Sequence, residues 1–302
     1  MRVYTHPDCL AHDPGDGHPE SPARLVAVVS ALRTALPSLD WHEAPLAAIP
    51  MLERAHAPAL VATVLAAAGH ALRLDEDTVM SPGSAQASLR ACGAAVAAVD
   101  AVMAGQDRRA FCAIRPPGHH ATADTAMGFC LFNSVAVAAA HALARHGLQR
   151  VAIADFDVHH GNGTQAIFEH EPRVLYLSSH QFPLYPGTGR SDESGVGNIV
   201  NAPLAPGAGG MAFRAMWQER LLPALDAFAP QLLLVSAGFD GHRLDPLADM
   251  GLDAADYHWL SLALAAHADR HCGGRIVSLL EGGYSLTALR ECSVAHLRGL
   301  GA

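Results

Sequence analysis

The sequence has 302 residues, half of them hydrophobic, and a formal net charge of -9 that comes from 29 acidic and 20 basic residues. Every basic residue is arginine. Because the net charge is negative, the chain has no overall attraction for nucleic acid or an anionic membrane, which argues against both as partners. No linker, charge block or repeat interrupts the pattern, so we predict a single α/β domain over residues 1–302.

Targeting signals are also missing from the pattern. The first residues lack the long apolar segment of a signal peptide, and the longest charge-free stretch, residues 127–144, contains polar side chains. The six cysteines are scattered without a C-x-x-C pair, which is typical of reduced thiols. We therefore expect a cytoplasmic protein without a membrane span, and the sequence leaves its oligomeric state open.

Short apolar runs alternate with longer segments of helical spacing along the chain. We predict strands at 3–5, 41–44, 110–114, 151–154, 174–178, 198–201, 232–236 and 276–280. Helices are predicted at 22–36, 85–103, 134–146, 210–228 and 256–271, with one or two more within 51–68 and another from 164. This alternation predicts a largely parallel sheet with helices on both faces.

The stretch 151–163, VAIADFDVHHGNG, places chemistry at the end of a predicted strand. Strand alternation would carry Asp155, Asp157 and His159 to one side, beyond which Gly161 begins a turn. Two carboxylates and an imidazole are suitable ligands for a divalent metal ion. The alternative is an ordinary strand-to-helix corner with capping carboxylates and turn histidines.

Similar clusters follow three other predicted strands: RPPGHHA at 115–121, SAGFDGHRLDPLADMG at 236–251 and EGGYSL at 281–286. The carboxyl ends of strands are where open α/β sheets bind ligands. Two further features are ambiguous. Arg24, in the first turn of a predicted helix, either meets an internal anion or acyl product or is exposed at the surface. The acids at 75–77 form either a solvated loop or a rim that grips a substrate.

Together with HPESPARL at 18–25 and YPGTG at 185–189, these clusters resemble, in order and over nearly the whole chain, the histone deacetylase and acetylpolyamine amidohydrolase family. The resemblance is to its class II-like bacterial zinc deacetylases. It implies the arginase-deacetylase fold, an eight-stranded parallel sheet with helices on both faces. It also implies a Zn²⁺-dependent hydrolase that removes acetyl or other short acyl groups from an acylated lysine or small acylated amine.

The resemblance also implies a role for each matching residue. The zinc ligands would be Asp157, His159 and Asp240, although the residues alone offer Asp240 only as a candidate. His120 would be the general base, His119 an electrostatic partner and Tyr284 the oxyanion donor, while Asp155 orients His119 and Asn162 orients His120. The substrate tunnel would be lined by Phe129, Tyr185, Leu247 and Gly282. A structural K⁺ would lie near Asp155, Asp157, His159, Ser178 and Ser179.

Three other functions remain open from the sequence. An acetylpolyamine amidohydrolase would share all these motifs, although Leu247, where polyamine-selective relatives can carry an acid, favours a lysine-like substrate. A non-catalytic acyl-lysine or metal-binding module would be expected to lose a ligand, the tyrosine or a histidine, and none is missing. A binuclear Mn²⁺ hydrolase related to arginase would need more Asp and His ligands than these motifs supply.

Overall fold

The computed structural model describes residues 1–302 and contains ten strands. They are β1 (Arg2–Thr5), β2 (Asp40–Glu43), β3 (Leu72–Arg73), β4 (Val79–Met80), β5 (Arg109–Cys112), β6 (Val151–Asp155), β7 (Val174–Gln181), β8 (Ile199–Leu204), β9 (Leu232–Ala237) and β10 (Ile276–Leu280). Eight of them form one parallel sheet in the order β2-β1-β5-β10-β9-β6-β7-β8, and β3 pairs with β4 in a separate antiparallel ribbon.

Ten α-helices surround the sheet. They are α1 (Pro22–Ala35), α2 (Ile49–Leu52), α3 (Pro58–Ala66), α4 (Ser84–Met103), α5 (Ser134–His146), α6 (Asn162–Phe168), α7 (Gly210–Met216), α8 (Leu222–Phe228), α9 (Ala254–His271) and α10 (Leu286–Gly299). A short 3₁₀ helix covers Pro7–Leu10, and a π-helical turn at Trp217–Leu221 joins α7 to α8.

The central strands are buried on both faces, as expected of a parallel sheet between two layers of helices. Every residue of β6, β9 and β10 is buried. Helices α4 and α5 pack against each other and on the sheet, while α10 packs on α1 and α9. The predicted α/β fold with an eight-stranded parallel sheet is therefore confirmed. Among the helices, none combines the length and the apolar character that crossing a membrane requires.

Some predicted elements differ in detail from the structure. The predicted helix at 210–228 is interrupted by the π-helical turn, where Trp217 is buried and its Nε1 donates to Ser179 Oγ. Segment 51–68 contains two helices, and Pro58 begins the second of them. We predicted no helix after residue 284, yet the Ser285 side chain caps α10, because it accepts a hydrogen bond from the amide of Ala288.

Candidate active site

Five neighbouring strands of the sheet carry the candidate site residues. In the order β5-β10-β9-β6-β7, their carboxyl ends lie along one edge of the sheet. The segment after β5 contains His119 and His120, and the segment after β10 contains Tyr284. Asp240 follows β9, and Asp157 and His159 follow β6. Strands far apart in sequence are therefore adjacent in space, and their polar ends form one site.

Asp157, His159 and Asp240 form a buried group of three potential metal ligands. The two carboxylates are at most 1% exposed. Strand β6 ends at Asp155, so the predicted continuation of strand alternation through residue 159 is wrong. Instead, the Asp155 carboxylate accepts from the amide of Asp157, and the Asp157 carboxylate accepts from the amide of His159. These local turns orient the ligands.

The distances in this group fit a metal ion better than they fit hydrogen bonding alone. His159 Nδ1 lies 3.2 Å from Asp157 Oδ1 and 3.2 Å from Asp240 Oδ2, although a ring nitrogen carries at most one hydrogen. Ligand atoms about 2.0–2.1 Å from a tetrahedral zinc ion are about 3.3 Å apart. Burial and the charge of Asp157 raise the pKa of Asp240 to about 7, as expected where buried carboxylates lack enough positive charge. The donor set therefore suits a divalent cation.

Two other groups of one aspartate and two histidines have a different geometry. They are Asp100 with His141 and His146, and Asp226 with His267 and His271. In each group, one aspartate oxygen lies 2.7–2.8 Å from both imidazole nitrogens, which is a hydrogen-bond distance. An arginine also contacts each group, Arg54 in the first and Arg270 in the second. These groups are therefore better described as hydrogen-bonded links between neighbouring helices.

The histidine pair lies at the end of the segment that follows β5. The two rings are 4.0 Å apart between centroids. His120 Nδ1 is 2.8 Å from Asn162 Oδ1, and because that oxygen only accepts, Nδ1 carries the hydrogen and Nε2 keeps a free lone pair. Burial and the nearby charges of His119 and His159 hold the pKa of His120 well below its ordinary value. His120 is therefore a neutral proton acceptor near pH 7.

His119 has the opposite electrostatic environment. Its Nδ1 is 3.0 Å from Asp155 Oδ2. Although burial opposes the charged form, the charges of Asp157 and Asp155 raise the pKa of His119 above its ordinary value. Two adjacent histidines with pKa values shifted in opposite directions are suited to different roles in proton chemistry.

A cavity of about 240 Å³ opens above these residues. It is lined by Asp77, His120, Gly128, Phe129, His159, Leu184, Tyr185, Leu247 and Tyr284. The Tyr185 ring stands edge-on to His120 at 5.1 Å, and the Phe129 ring stands edge-on to Tyr284 at 5.9 Å. Three of the four predicted tunnel residues thus line the cavity. The fourth, Gly282, lies deeper, where its amide donates to Asp157 Oδ2 over 2.8 Å.

Two glycines allow the ligand carboxylates to approach the main chain closely. A Cβ atom on Gly238 would collide with the Asp157 carboxylate, and one on Gly282 would collide with Asp240. Both positions lie in the strand-end motifs, Gly238 in AGFD and Gly282 in EGGY. The need for glycine there comes from contacts between strands, so local sequence patterns could not explain it.

Tyr284 is held from two sides. Its amide donates to Asp245 Oδ2 over 2.6 Å, and the Arg24 guanidinium lies 5.0 Å from the centre of its ring. Removal from solvent raises the pKa of Tyr284 well above 10, although the Arg24 cation opposes this, so the phenol remains protonated at neutral pH. Arg24 is completely buried, so the alternative of surface exposure was wrong. Its Nε donates instead to the Gly283 carbonyl over 2.6 Å.

Arg24 belongs to a buried cluster of charges that we did not predict from the sequence. Glu20, in the HPESPARL motif, accepts from Arg24 over 2.8 Å and from Arg115 over 2.5 and 2.6 Å. All three side chains are 0% exposed. The cluster joins the N-terminal segment to the turn that carries the histidine pair. The only signal in the sequence was a glutamate four residues before an arginine at the start of a helix.

The remaining predicted residues lie beside the site on β6 and β7. Asp155 and Ser178 are paired in register on these adjacent strands. The Ser178 hydroxyl is 2.9 Å from His180 Nδ1, and the Ser179 hydroxyl accepts from Trp217. His160, which directly follows the candidate ligand His159 in sequence, contacts Thr188 and Gln165 and does not line the cavity.

Comparisons with known proteins agree with this geometry. A family model described as the histone deacetylase domain matches residues 18–300. Histone deacetylase 14, chloroplastic, of Arabidopsis thaliana is 38% identical over 324 residues, which cover 99% of this chain and 76% of that protein. The histone deacetylase-like amidohydrolase of Pseudomonas aeruginosa is 44% identical over 232 residues, which cover 75% of this chain and 61% of the relative.

A solved structure is similarly close. The crystal structure of the HDA15 HD domain matches with a TM-score of 0.95 at 36% identity, covering 99% of this chain and 87% of that chain. The resemblance predicted from the strand-end motifs is thus confirmed, and with it the broad class of amide-cleaving hydrolases. The chain belongs to the histone deacetylase family.

Proposed function

We propose that this protein is a zinc-dependent deacetylase that removes acetyl or other short acyl groups from an acylated lysine side chain. The observation that carries the proposal is the buried group of Asp157, His159 and Asp240, with spacings that suit zinc, at the floor of a cavity that His120 and Tyr284 also line. Family membership supports amide hydrolysis at this site.

The proposed mechanism divides the work among the site residues. A zinc ion held by Asp157, His159 and Asp240 would polarise the acyl carbonyl and lower the pKa of a nearby water molecule. His120 Nε2 accepts the proton of the attacking water and later protonates the departing amine. His119 supplies a positive charge beside the developing anion. The Tyr284 hydroxyl donates a hydrogen bond to the negative oxygen of the tetrahedral intermediate.

Replacing Tyr284 with phenylalanine should reduce kcat by about 10²–10³-fold, as expected when one oxyanion donor is lost. The zinc content should not change, since Tyr284 is not among the proposed ligands. The measurements are hydrolysis of an acetyl-lysine peptide and metal analysis of the same preparation. Tyr257→Phe is a matched control, because the Tyr257 hydroxyl is buried without a hydrogen-bond partner. Full activity of the Tyr284→Phe protein would refute the assigned role.

The cavity walls favour a lysine-like stem over a polyamine. The rings of Phe129 and Tyr185 and the side chain of Leu247 offer apolar surface to a methylene chain. One observation favours the alternative, acetylpolyamine hydrolysis: Asp77 lines the same cavity, and a carboxylate there could pair with a second amine. Burial and the neighbouring Asp75 raise the pKa of Asp77 above its ordinary value.

Competing substrates distinguish these two activities. We expect kcat/KM to be at least about tenfold higher on an acetyl-lysine peptide than on N-acetylputrescine, corresponding to about 1.4 kcal/mol of preference. An Asp77→Asn variant should change this ratio little if the lysine assignment is correct. A preference for N-acetylputrescine that Asp77→Asn removes would instead establish the polyamine activity.

We also propose a structural K⁺ near Asp155, Asp157, His159, Ser178 and Ser179, supported by the side-by-side placement of Asp155 and Ser178. Oxygen-rich strand ends suit a hard cation of this kind.

A cytoplasmic location and a single domain over residues 1–302 complete the proposal. The location is supported by the six cysteines, all of them free and buried, as is typical of a reducing compartment.

A further inference from the structure

Glu281 is a buried carboxylate next to the candidate active site. It has no role in the proposed mechanism. It follows directly after β10 and is 1% exposed. Unlike Glu20, it forms no ion pair with an arginine or histidine side chain. Burying an acidic group without a counter-ion is costly, so its hydrogen bonds must stabilise it there.

Those hydrogen bonds come from the two neighbouring strand ends. Glu281 Oε2 accepts from the amide of Gly118 over 2.6 Å and from the amide of His119 over 3.2 Å. Its other oxygen accepts from the Ser236 hydroxyl over 3.1 Å. The strand order explains this placement, because β10 lies between β5 and β9. A single side chain thus joins the carboxyl ends of three adjacent strands.

The histidine turn depends on this acceptor. Pro116 and Pro117 lack amide hydrogens, so the amides of Gly118 and His119 are the first backbone donors between these prolines and His120. Both amides are buried, and Glu281 is the side chain that satisfies them. Without it, buried donors would be left unpaired, and the turn would be free to shift.

The main chain around Glu281 is fixed as well. Its carbonyl accepts from Arg24 Nη2 over 2.5 Å, and the next amide, that of Gly282, donates to Asp157 Oδ2. The segment 281–284 is therefore anchored to the metal-ligand group at one point and carries Tyr284 at its end. The Glu281 side chain extends this rigid segment to the histidine turn.

We propose that Glu281 is a positioning residue. By accepting hydrogen bonds from the amides of Gly118 and His119, it holds the histidine pair at a fixed position relative to Tyr284 and the metal ligands. This inference rests on the proposed deacetylase function. It requires an oxygen acceptor at this position, and Glu281 is not among the residues that line the cavity.

Two nearly isosteric variants test the proposal. Glu281→Met fills the same space without an acceptor, so kcat on an acetyl-lysine peptide should fall by about 10²-fold, the effect of a small misplacement of catalytic groups. KM should stay within about twofold, and zinc content should be unchanged. Glu281→Gln should rescue kcat to within about threefold of wild type, since its carbonyl oxygen can accept from both amides while its NH₂ group donates to Ser236.

Amide hydrogen exchange gives a readout that does not depend on activity. Exchange at Gly118 and His119 should be at least tenfold faster in Glu281→Met than in wild type, and near wild type in Glu281→Gln. Asp256→Ala is the control for general destabilisation, because Asp256 is another buried carboxylate that accepts from a backbone amide, and it does not line the cavity. It should lower Tm without changing kcat at 25 °C or exchange at these two amides.

The outcomes separate this inference from the proposed function. Unchanged kcat and unchanged exchange in Glu281→Met would overturn the positioning role. A large loss of kcat in Glu281→Gln with protected amides would also overturn it, because the charge rather than the hydrogen bonds would then be essential. If the wild-type protein leaves the peptide intact while Glu281→Met still exposes the two amides, the deacetylase proposal fails and the structural link stands. If Glu281→Met does not fold, Glu281→Asp replaces it, since its shorter side chain cannot reach both amides.

Discussion

An Asp240→Asn variant should lose its metal and nearly all of its activity. Asparagine has almost the same shape and can still accept the hydrogen bond that Val158 donates to Asp240 Oδ1 over 2.9 Å. It lacks the negative charge, however, so the metal would be left with His159 and a single carboxylate. Losing several kcal/mol of charge stabilisation corresponds to a fall in kcat/KM of about 10³-fold or more. The measurements are zinc per chain after dialysis and hydrolysis of an acetyl-lysine peptide.

The control for this prediction is Asp226→Asn. Asp226 belongs to the superficially similar group with His267 and His271, where hydrogen-bond distances of 2.7 Å argue against a bound ion. This variant should keep the zinc content and activity of the wild type. If Asp240→Asn retained one zinc per chain while Asp226→Asn lost it, the metal site would have been assigned to the wrong group.

The second large effect is on stability. Replacing Glu20 with glutamine should destabilise the protein by about 3–5 kcal/mol, because two fully buried arginines, Arg24 and Arg115, would lose their counter-ion. The wild-type carboxylate receives two parallel hydrogen bonds from Arg115 and one from Arg24, which a neutral amide cannot reproduce. Denaturant unfolding at pH 7 measures the difference. Glu171→Gln, which breaks the half-exposed pair with Arg173, should cost less than about 1 kcal/mol.

The Glu20→Gln substitution should also change how the stability of the protein depends on pH. Although burial opposes it, the charge of Arg115, with His12 and Arg24 nearby, holds the pKa of Glu20 well below 4.5 in the folded protein. A lowered folded pKa contributes stability above the unfolded value of about 4.5, and that contribution is lost as the pH falls towards the folded value. The stability gap between wild type and Glu20→Gln should therefore be widest above pH 5 and narrow in acid. A gap that widened on acidification would contradict the assignment.

The candidate ligands show how far local sequence information reaches. Asp157 and His159 could be predicted from one stretch, because residue type and position after an apolar strand are local properties. For Asp240 the residues alone offered no more than a candidate, and only the resemblance to a family made it a ligand, since its contact with His159 spans 81 positions of sequence. Even for this local pair, Asp157 and His159, strand alternation does not explain how the two side chains are oriented. Strand β6 stops at Asp155, and side-chain hydrogen bonds to the amides of residues 157 and 159 direct the chain beyond it.

Sequence alone was sufficient for the alternation of strands and helices, the polar clusters at strand ends and the family, because periodicity and motif order are carried by neighbouring residues. Tertiary structure decided the rest. Placing β10 and β9 between β5 and β6 brings Glu281 under the histidine turn and Asp240 beside His159. It likewise makes Arg24 a buried support for Tyr284 rather than a surface cation. Such contacts depend on which strands become neighbours, and the packing of the whole sheet selects that order.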